Sequence, residues 1–250
     1  MLYLTAYCSL FAKKDEIYWH QERTGLMPYL IRKEIERLKK SLLSLTALVE
    51  SRFQSSLQSL LEMDNELAAE VVAGDNEIDE REVALEEDCL KIMALHQPVA
   101  NDLRLIVSVL KINNDLERVA DLTVNMASRV QDLSAKLTTT ESPYDLAAMG
   151  QLVNEMLRTS LDSLVKEDTA LARQCIAMDQ EVDDMHRDNF AAVKQAVREQ
   201  PEKIDYILLY LSVSRYLERI ADLTTNIAED VVYLIDAEII RHHGGGQEKS

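Results

Sequence analysis

The sequence predicts an all-α protein built as two tandem antiparallel three-helix bundles, six long helices in total. Only 6 of its 250 residues are glycine, 4 are proline, and aromatic residues make up 5% of the chain. This composition is poor in turn residues and in typical strand formers. An internal repeat is the second observation, because residues 116–127 (LERVADLTVNMA) and 217–228 (LERIADLTTNIA) agree at nine of twelve positions. A repeat of this kind indicates two copies of one supersecondary unit.

Helix-breaking residues divide the chain into three helical segments in each half. The main interruptions are Gly74, Pro98, the stretch 138–145 and Pro201. The connections are short, so neighbouring helices should run antiparallel. We expect helices over roughly 29–73, 76–96, 99–137, 144–177, 180–199 and 202–241.

The same interruptions set the expected domain bounds. Residues 1–28 have no sustained periodicity and no counterpart in the second half, so we interpret them as an extension or as an early start codon. The first bundle is expected over residues 29–138, a linker over 139–145 and the second bundle over 146–241. Residues 242–250 are expected to be a flexible tail.

The third helix of each half has an apolar repeat of 3.5 residues. Along 105–133 and 206–234, apolar residues, with one threonine in each stretch, recur at alternating steps of four and three. This spacing is typical of a helix that buries one stripe inside a bundle. In that register Glu117, Asp121 and Asn125 lie on the side away from the stripe, so we expect them to point outward.

Matched acidic pairs occur on these two helices. Glu117 and Asp121 are four residues apart, as are Glu218 and Asp222, so each pair shares one helix face. Like charges at this spacing destabilise a helix by about 0.2–0.5 kcal/mol. A divalent or trivalent cation such as Mg, Mn or Fe would neutralise them, because hard cations prefer carboxylate oxygens. The alternative is an ordinary solvated face, but the faithful duplication favours a metal site.

A second set of acidic pairs recurs upstream. Asp75 and Asp79 align with Asp179 and Asp183 at an offset of 104 residues, and antiparallel helices would bring them to the face of the first set. Asp75 and Asp179 would equally suit helix N-caps, which need no metal. Amide oxygens one turn further along and adjacent arginines are the expected supporting groups: Asn125, Asn226, Arg118 and Arg219.

The charge balance limits the possible partners. A net charge of −17 argues against binding to nucleic acid or anionic lipid and favours cations or basic protein surfaces. The three cysteines follow no ligand spacing and are expected to be reduced thiols. No stretch approaches the ~18 apolar residues of a membrane helix, and no signal-peptide pattern is present. We therefore expect a cytoplasmic protein.

A helical-bundle metalloenzyme, such as a di-metal oxidase or phosphatase, is the alternative function. Asp183 and His186 have the carboxylate-x-x-His spacing of di-metal bundles. The first half has Asp79 and Glu82 at these positions, so the second histidine motif that such a centre needs is missing. Because the acids are also expected outside the bundle, the sequence favours a protein that is not an enzyme.

These motifs resemble the two signatures of the PhoU family of bacterial phosphate-signalling regulators. The resemblance rests on LERVADLTVNMA, RYLERIADLTTNIAED and the segment 96–121, together with the acidic stretches GDNEIDE and MDQEVDD. It covers roughly residues 29–238. One departure is that the family usually has glycine where this chain has Ala120 and Ala221.

The resemblance implies surface metal ions or iron clusters, held by E(D)xxxD motifs in some family members. It also implies a cytosolic adaptor that acts between a phosphate ABC transporter, through its ATPase subunit, and a sensor histidine kinase, and that often forms a homodimer. Such a protein reaches the membrane only through its partners and represses phosphate import and phosphate-starvation signalling. On this chain the motif residues are Glu117, Asp121, Glu218 and Asp222, with Asp75, Asp79, Asp179 and Asp183 upstream.

Overall fold

The computed structural model describes residues 26–136 and 142–240. Within these ranges no β-strand occurs, and the all-α prediction is confirmed. The predicted extension over 1–28 lies almost entirely, and the tail over 242–250 wholly, outside the described residues. The helices are α1 (Leu26–Glu62), α2 (Asn65–Ala73), α3 (Asp75–His96), α4 (Ala100–Lys136), α5 (Leu146–Lys166), α6 (Thr169–Glu199) and α7 (Ile204–Asp236), with a 3-10 turn at Pro201–Lys203.

The helices form the two predicted three-helix bundles. In the first bundle α1 and α4 pack together with the arm formed by α2 and α3. This arm bends at Gly74, whose φ of −84° and ψ of 0° remain close to helical values. In the second bundle α5, α6 and α7 pack against one another, and α6 corresponds to the whole α2–α3 arm without a bend.

The first turn of each bundle was predicted at the wrong place. The sequence placed these turns near residues 74 and 178, but α1 ends at Glu62 and α5 ends at Lys166. The cause is a capping aspartate in each half. Asp64 Oδ1 accepts hydrogen bonds of 2.9 and 3.0 Å from the next helix's free N–H groups, and Asp168 Oδ1 accepts bonds of 2.8 and 3.3 Å. An aspartate cap thus starts the second helix of each bundle.

The apolar stripe of the third helix is confirmed. Leu116 on α4 and Leu217 on α7 are completely buried, as are their neighbours on the stripe. One buried hydrogen bond per bundle fixes the position of this helix against the first: Ser56 Oγ donates to the Thr123 carbonyl over 3.0 Å. The equivalent bond in the second bundle runs from Ser160 Oγ to the Thr224 carbonyl over 3.1 Å.

The two bundles contact each other mainly through α4 and α7. Lys111 Nζ lies 3.3 Å from the buried Asp230 Oδ1, and Arg129 donates to Tyr216 Oη over 3.4 Å. Residue numbers therefore rise along α4 as they fall along α7, so the two helices are antiparallel. The acidic pairs of α4 and α7 take no part in these contacts between the bundles.

Candidate metal site

The first acidic cluster consists of Asp75 and Asp79 on α3 with Glu117 and Asp121 on α4. Asp79 and Asp121 are exposed, whereas Asp75 and Glu117 are half-buried. The outward orientation predicted for Glu117 and Asp121 is confirmed, because neither side chain enters the bundle core. One oxygen of Asp75, Oδ1, is buried and has no hydrogen-bond partner among the described residues.

Electrostatic repulsion acts between the carboxylates of α3 and α4. The pKa of Asp75 is raised above its ordinary value, first by desolvation and then by the charges of Asp79 and Asp121. The pKa of Glu117 is raised by desolvation and by Asp121, Glu82 and Asp79. Asp121 on α4 thus raises the pKa of Asp75 on α3, and Asp79 on α3 raises the pKa of Glu117 on α4. Both helices therefore contribute to one acidic face.

The second acidic cluster has the same construction. It consists of Asp179 and Asp183 on α6 with Glu218 and Asp222 on α7. Asp222 is exposed and the other three are half-buried. The pKa of Asp179 is raised to about 6, by desolvation first and then by Asp222 and Asp183. The pKa of Asp222 is also raised to about 6, by desolvation and then by Glu218 and Asp183. Desolvation and, after it, repulsion between like charges therefore both oppose the ionised forms of these two aspartates.

The two adjacent arginines neutralise these clusters only in part. Both are exposed. Arg118 lowers the pKa of Glu117, but its nearest ion-pair partner is Asp115, at 3.8 Å. Arg219 lowers the pKa of Asp222. Across residues 26–136 and 142–240, no carboxylate of either cluster has an ion-pair partner within 4.0 Å.

The chemistry of the donor groups fits a hard cation. Each cluster offers four carboxylates without a basic partner, and the buried oxygen of Asp75 lacks a donor. In the described part of the chain, no three His, Cys, Asp or Glu side chains already converge to hold an ion. Binding would therefore require these side chains to rotate towards the cation. Asn125 is exposed and Asn226 half-buried, one turn beyond the third-helix pairs, and their supporting role stays a prediction.

Sequence reasoning did not place Glu82 in the first cluster. It lies on α3, its pKa is raised by desolvation and by Glu86 and Asp79, and its own charge raises the pKa of Glu117. The available signal was its spacing of seven residues from Asp75, which is two helical turns on one face. The equivalent position in the second half is His186.

Two other sequence expectations concern the thiols and the membrane. Cys89 and Cys175 are free and buried, and burial raises the pKa of each thiol to about 12. The third cysteine, Cys8, lies outside the described residues. None of the described helices has both the length and the apolar character needed to cross a bilayer.

Comparison with known proteins identifies a family whose domain matches both bundles. The family model described as the PhoU domain matches residues 42–130 and 146–231, one copy in each bundle. The chain is 36% identical to the phosphate-specific transport system accessory protein PhoU homolog of Aquifex aeolicus over 84% of this chain and 95% of that protein. It is 32% identical to the homolog of the same name from Pseudomonas putida, over 84% of this chain and 82% of that protein.

Solved structures agree with the sequence matches. The crystal structure of PhoU from Pseudomonas aeruginosa superposes with a TM-score of 0.79 at 32% identity, over 83% of this chain and 99% of that one. The phosphate transport system regulatory protein PhoU of Streptococcus pneumoniae superposes with a TM-score of 0.73 at 28% identity, over 84% and 99%. Both copies of the domain are matched and the bundle architecture agrees, and the chain therefore belongs to the PhoU family.

Proposed function

We propose that this protein is a cytoplasmic adaptor, and not an enzyme, that restrains phosphate import and represses phosphate-starvation signalling. The names of its relatives support a role in regulating phosphate transport, since they are called accessory proteins of the phosphate-specific transport system. Its expected partners are the ATPase subunit of a phosphate ABC transporter, a sensor histidine kinase and a second copy of the chain. It reaches the membrane through these partners alone.

The observation that carries this proposal is the pair of equivalent acidic clusters without basic partners. In the first cluster Asp75, Asp79, Glu117 and Asp121 would hold the cation, and in the second Asp179, Asp183, Glu218 and Asp222 would hold it. Mg, Mn or Fe would supply positive charge to a surface that otherwise repels anions. A cation held there would let the protein engage an acidic partner surface or a phosphate group despite its net charge of −17.

Elemental analysis tests the metal part of the proposal. Protein purified without chelator should contain Mg, Mn or Fe, and the fourfold alanine variant at Glu117, Asp121, Glu218 and Asp222 should lose it. A matched control removes four exposed acids that have no described contact and lie outside both clusters. These control positions are Glu87, Glu155, Glu181 and Glu202. Equal metal content in the wild type and the cluster variant would contradict the proposed site.

A cellular assay tests the regulatory part. Deletion of the gene should raise phosphate uptake and the expression of phosphate-starvation genes in phosphate-rich medium. The wild-type chain and the control variant should restore repression, whereas the cluster variant should not. Copurification with the transporter ATPase subunit, compared between the same three proteins, reports on the adaptor role.

The metalloenzyme alternative makes a different prediction. Incubation with Mn or Fe and a phosphoester would then give turnover that disappears when Glu117 and Asp121 are replaced by alanine. The exposure of Asp121 and Asp222 disfavours this alternative, because an enzyme site of this kind collects its ligands inside the bundle.

A further inference from the structure

A groove runs between the first half of α1 and the second bundle. It joins two cavities, of about 570 and 290 Å³, that lie between α1, the start of α4 and the ends of α5 and α7. The two cavities share five lining residues, which are Glu36, Lys39, Leu105, Glu167 and Leu234. Along α1 the groove extends from Ile31 to Leu43, a length of about 18 Å or three helical turns. We call it the α1 groove.

The floor of the α1 groove is apolar. Val109 and Ile112 of α4 and Leu164 of α5 line the smaller cavity and are buried. Leu43 of α1 and Val165 of α5 line the same cavity, but Leu43 is 37% exposed and Val165 is 55% exposed. Apolar side chains of a bound partner would remove this surface from water, which favours binding.

The α1 side of the groove is basic, in contrast to the rest of the protein. Residues 26–43 of α1 contain five basic and two acidic side chains, which gives a net charge of +3. Since the whole chain carries −17, the remaining residues carry −20. An acidic partner is therefore repelled by most of the molecule and attracted by this stretch, so charge complementarity favours its binding at the groove.

Three cations at the rim of the groove are available to such a partner. Arg32 and Lys40 on α1 are exposed, and in the described part of the chain neither has an ion-pair partner within 4.0 Å. Arg104 on α4 is held in place by two hydrogen bonds. Its Nε donates to the Leu234 carbonyl over 3.0 Å, and its Nη2 donates to Asn101 Oδ1 over 3.2 Å.

Acidic residues of the rim compensate these cations only in part. Glu36 and Asp102 are exposed and also border the groove. The third acid, Glu167, is paired with Lys39 over 3.1 Å, and its side chain is 63% exposed. A surface ion pair of this kind contributes little to stability, so a carboxylate of the partner can take the place of Glu167 on Lys39.

We infer that the α1 groove binds an acidic amphipathic helix of a partner protein. The inference rests on the adaptor role proposed above and adds the place where a partner docks. A helix of three turns fits a groove walled by helices and would press its apolar face on the floor. Its carboxylates, two turns apart, would meet Arg32 and Lys40, which are about 12 Å apart along α1. None of the eight cluster carboxylates lines the groove, so this binding needs no metal.

Fluorescence anisotropy with a labelled synthetic peptide tests this chemistry on the full-length protein in the presence of EDTA. The probe is an amphipathic peptide of about four turns, with leucines on one face and glutamates at its flanks; a matched peptide has lysine at the glutamate positions. The glutamate peptide should bind and lose affinity as salt is raised, whereas the lysine peptide should not bind. Arg32→Glu combined with Lys40→Glu should weaken binding by about tenfold or more. The control, Arg158→Glu combined with Arg198→Glu, reverses two exposed cations outside the groove and should not weaken it.

The apolar floor is tested at an exposed position, where the fold should tolerate the change. Val165→Asp should weaken peptide binding by about tenfold, because it places a charge against the apolar face of the peptide. Leu90→Asp on α3 is the control, since Leu90 is 51% exposed and lines neither cavity. Circular dichroism should show equal helix content in all variants. If neither Val165→Asp nor the double reversal of Arg32 and Lys40 changes the affinity, the inference is overturned.

Two other occupants of the groove would give different results. A second copy of the chain is less suitable, because the described helices already bury their apolar stripes within the bundles; light scattering would reveal it if the double reversal converted a dimer to a monomer. The chain's own residues 1–25 would be revealed if Val165→Cys formed a disulfide with Cys8 under mild oxidation, since Cys89 and Cys175 are buried and do not compete. Either result overturns the inference.

The cellular assay separates this inference from the proposed function. The double reversal of Arg32 and Lys40 should keep the metal content of the wild type but lose repression and copurification with the transporter ATPase subunit or the sensor kinase. If it retains both activities, the inference is overturned and the proposed function stands. If the wild type itself neither represses nor copurifies, the proposed function is overturned together with the inference that rests on it.

Discussion

Replacing Asp222 with asparagine should stabilise the metal-free protein at neutral pH. In the folded chain desolvation, Glu218 and Asp183 raise the pKa of Asp222 from 3.8 to about 6. The folded state therefore holds this proton more tightly than the unfolded state does. The ionised carboxylate lowers the free energy of unfolding at every pH above about 6, and this penalty vanishes as the pH falls towards 4.

The size of the effect follows from the difference in pKa. About two pKa units would correspond to roughly 3 kcal/mol for a fully desolvated group. Asp222 is exposed, so solvent screens its charge and the figure must be reduced substantially. Part of the repulsion also falls on Asp179, whose pKa Asp222 raises. We expect Asp222→Asn to raise the free energy of unfolding by about 1 kcal/mol at neutral pH.

Urea denaturation followed by circular dichroism, in the presence of a chelator, measures this difference. The stabilisation should be full near neutral pH and close to zero near pH 4, where wild-type Asp222 is protonated. The control is Glu181→Gln, which removes one exposed acid from α6 and makes the same change in net charge. The reasoning is refuted if Asp222→Asn is no more stable than this control at neutral pH, or if its advantage persists unchanged near pH 4.

Three further predictions concern the fold and are measured by the same denaturation assay. Asp64→Ala and Asp168→Ala each remove an N-cap and should each lower the free energy of unfolding by about 1 kcal/mol; a change below a few tenths would show that these caps are dispensable. Ser56→Ala and Ser160→Ala should each cost about 1 kcal/mol, because each removes a buried hydrogen bond between the first and third helices of a bundle. Lys111→Met removes the cation beside the buried Asp230 and should lower the free energy of unfolding by about 2 kcal/mol. The loss is smaller than for a fully buried ion pair because the lysine side chain is 39% exposed.

Periodicity was the most reliable guide to the fold. The stripe containing Leu116 and Leu217 is buried as predicted, because a long helix can hide only one face and its spacing reveals which. The turns were less predictable. The sequence predicted a turn between helices at Gly74, but the α2–α3 arm only bends there and then continues. The turns lie instead at Asp64 and Asp168, each of which caps the helix that follows. Capping depends on one side chain and leaves little trace in composition.

The eight carboxylates of the two clusters could be predicted from the sequence, but the additional member Glu82 could not. The spacing of Glu117 and Asp121 fixed their shared face, since that geometry belongs to a single helix. How α3 and α4 are rotated against each other is a property of packing between helices, and no spacing within one helix reveals it. The place of Glu82 depends on that packing, in which Asn113 Nδ2 on α4 donates to Glu82 Oε1 over 3.1 Å and the charge of Glu82 raises the pKa of Glu117.

The bend at Gly74 makes the two duplicated halves electrostatically unequal. Helix α3 begins at Asp75, so this aspartate stands in the first turn of its helix. Helix α6 runs unbroken from Thr169 to Glu199, so Asp179 sits in mid-helix. A helix start favours a nearby anion by about 0.3–1 kcal/mol, which makes charge easier to keep in the first half. The helix break at a single glycine thus gives two copies of one motif different local electrostatics.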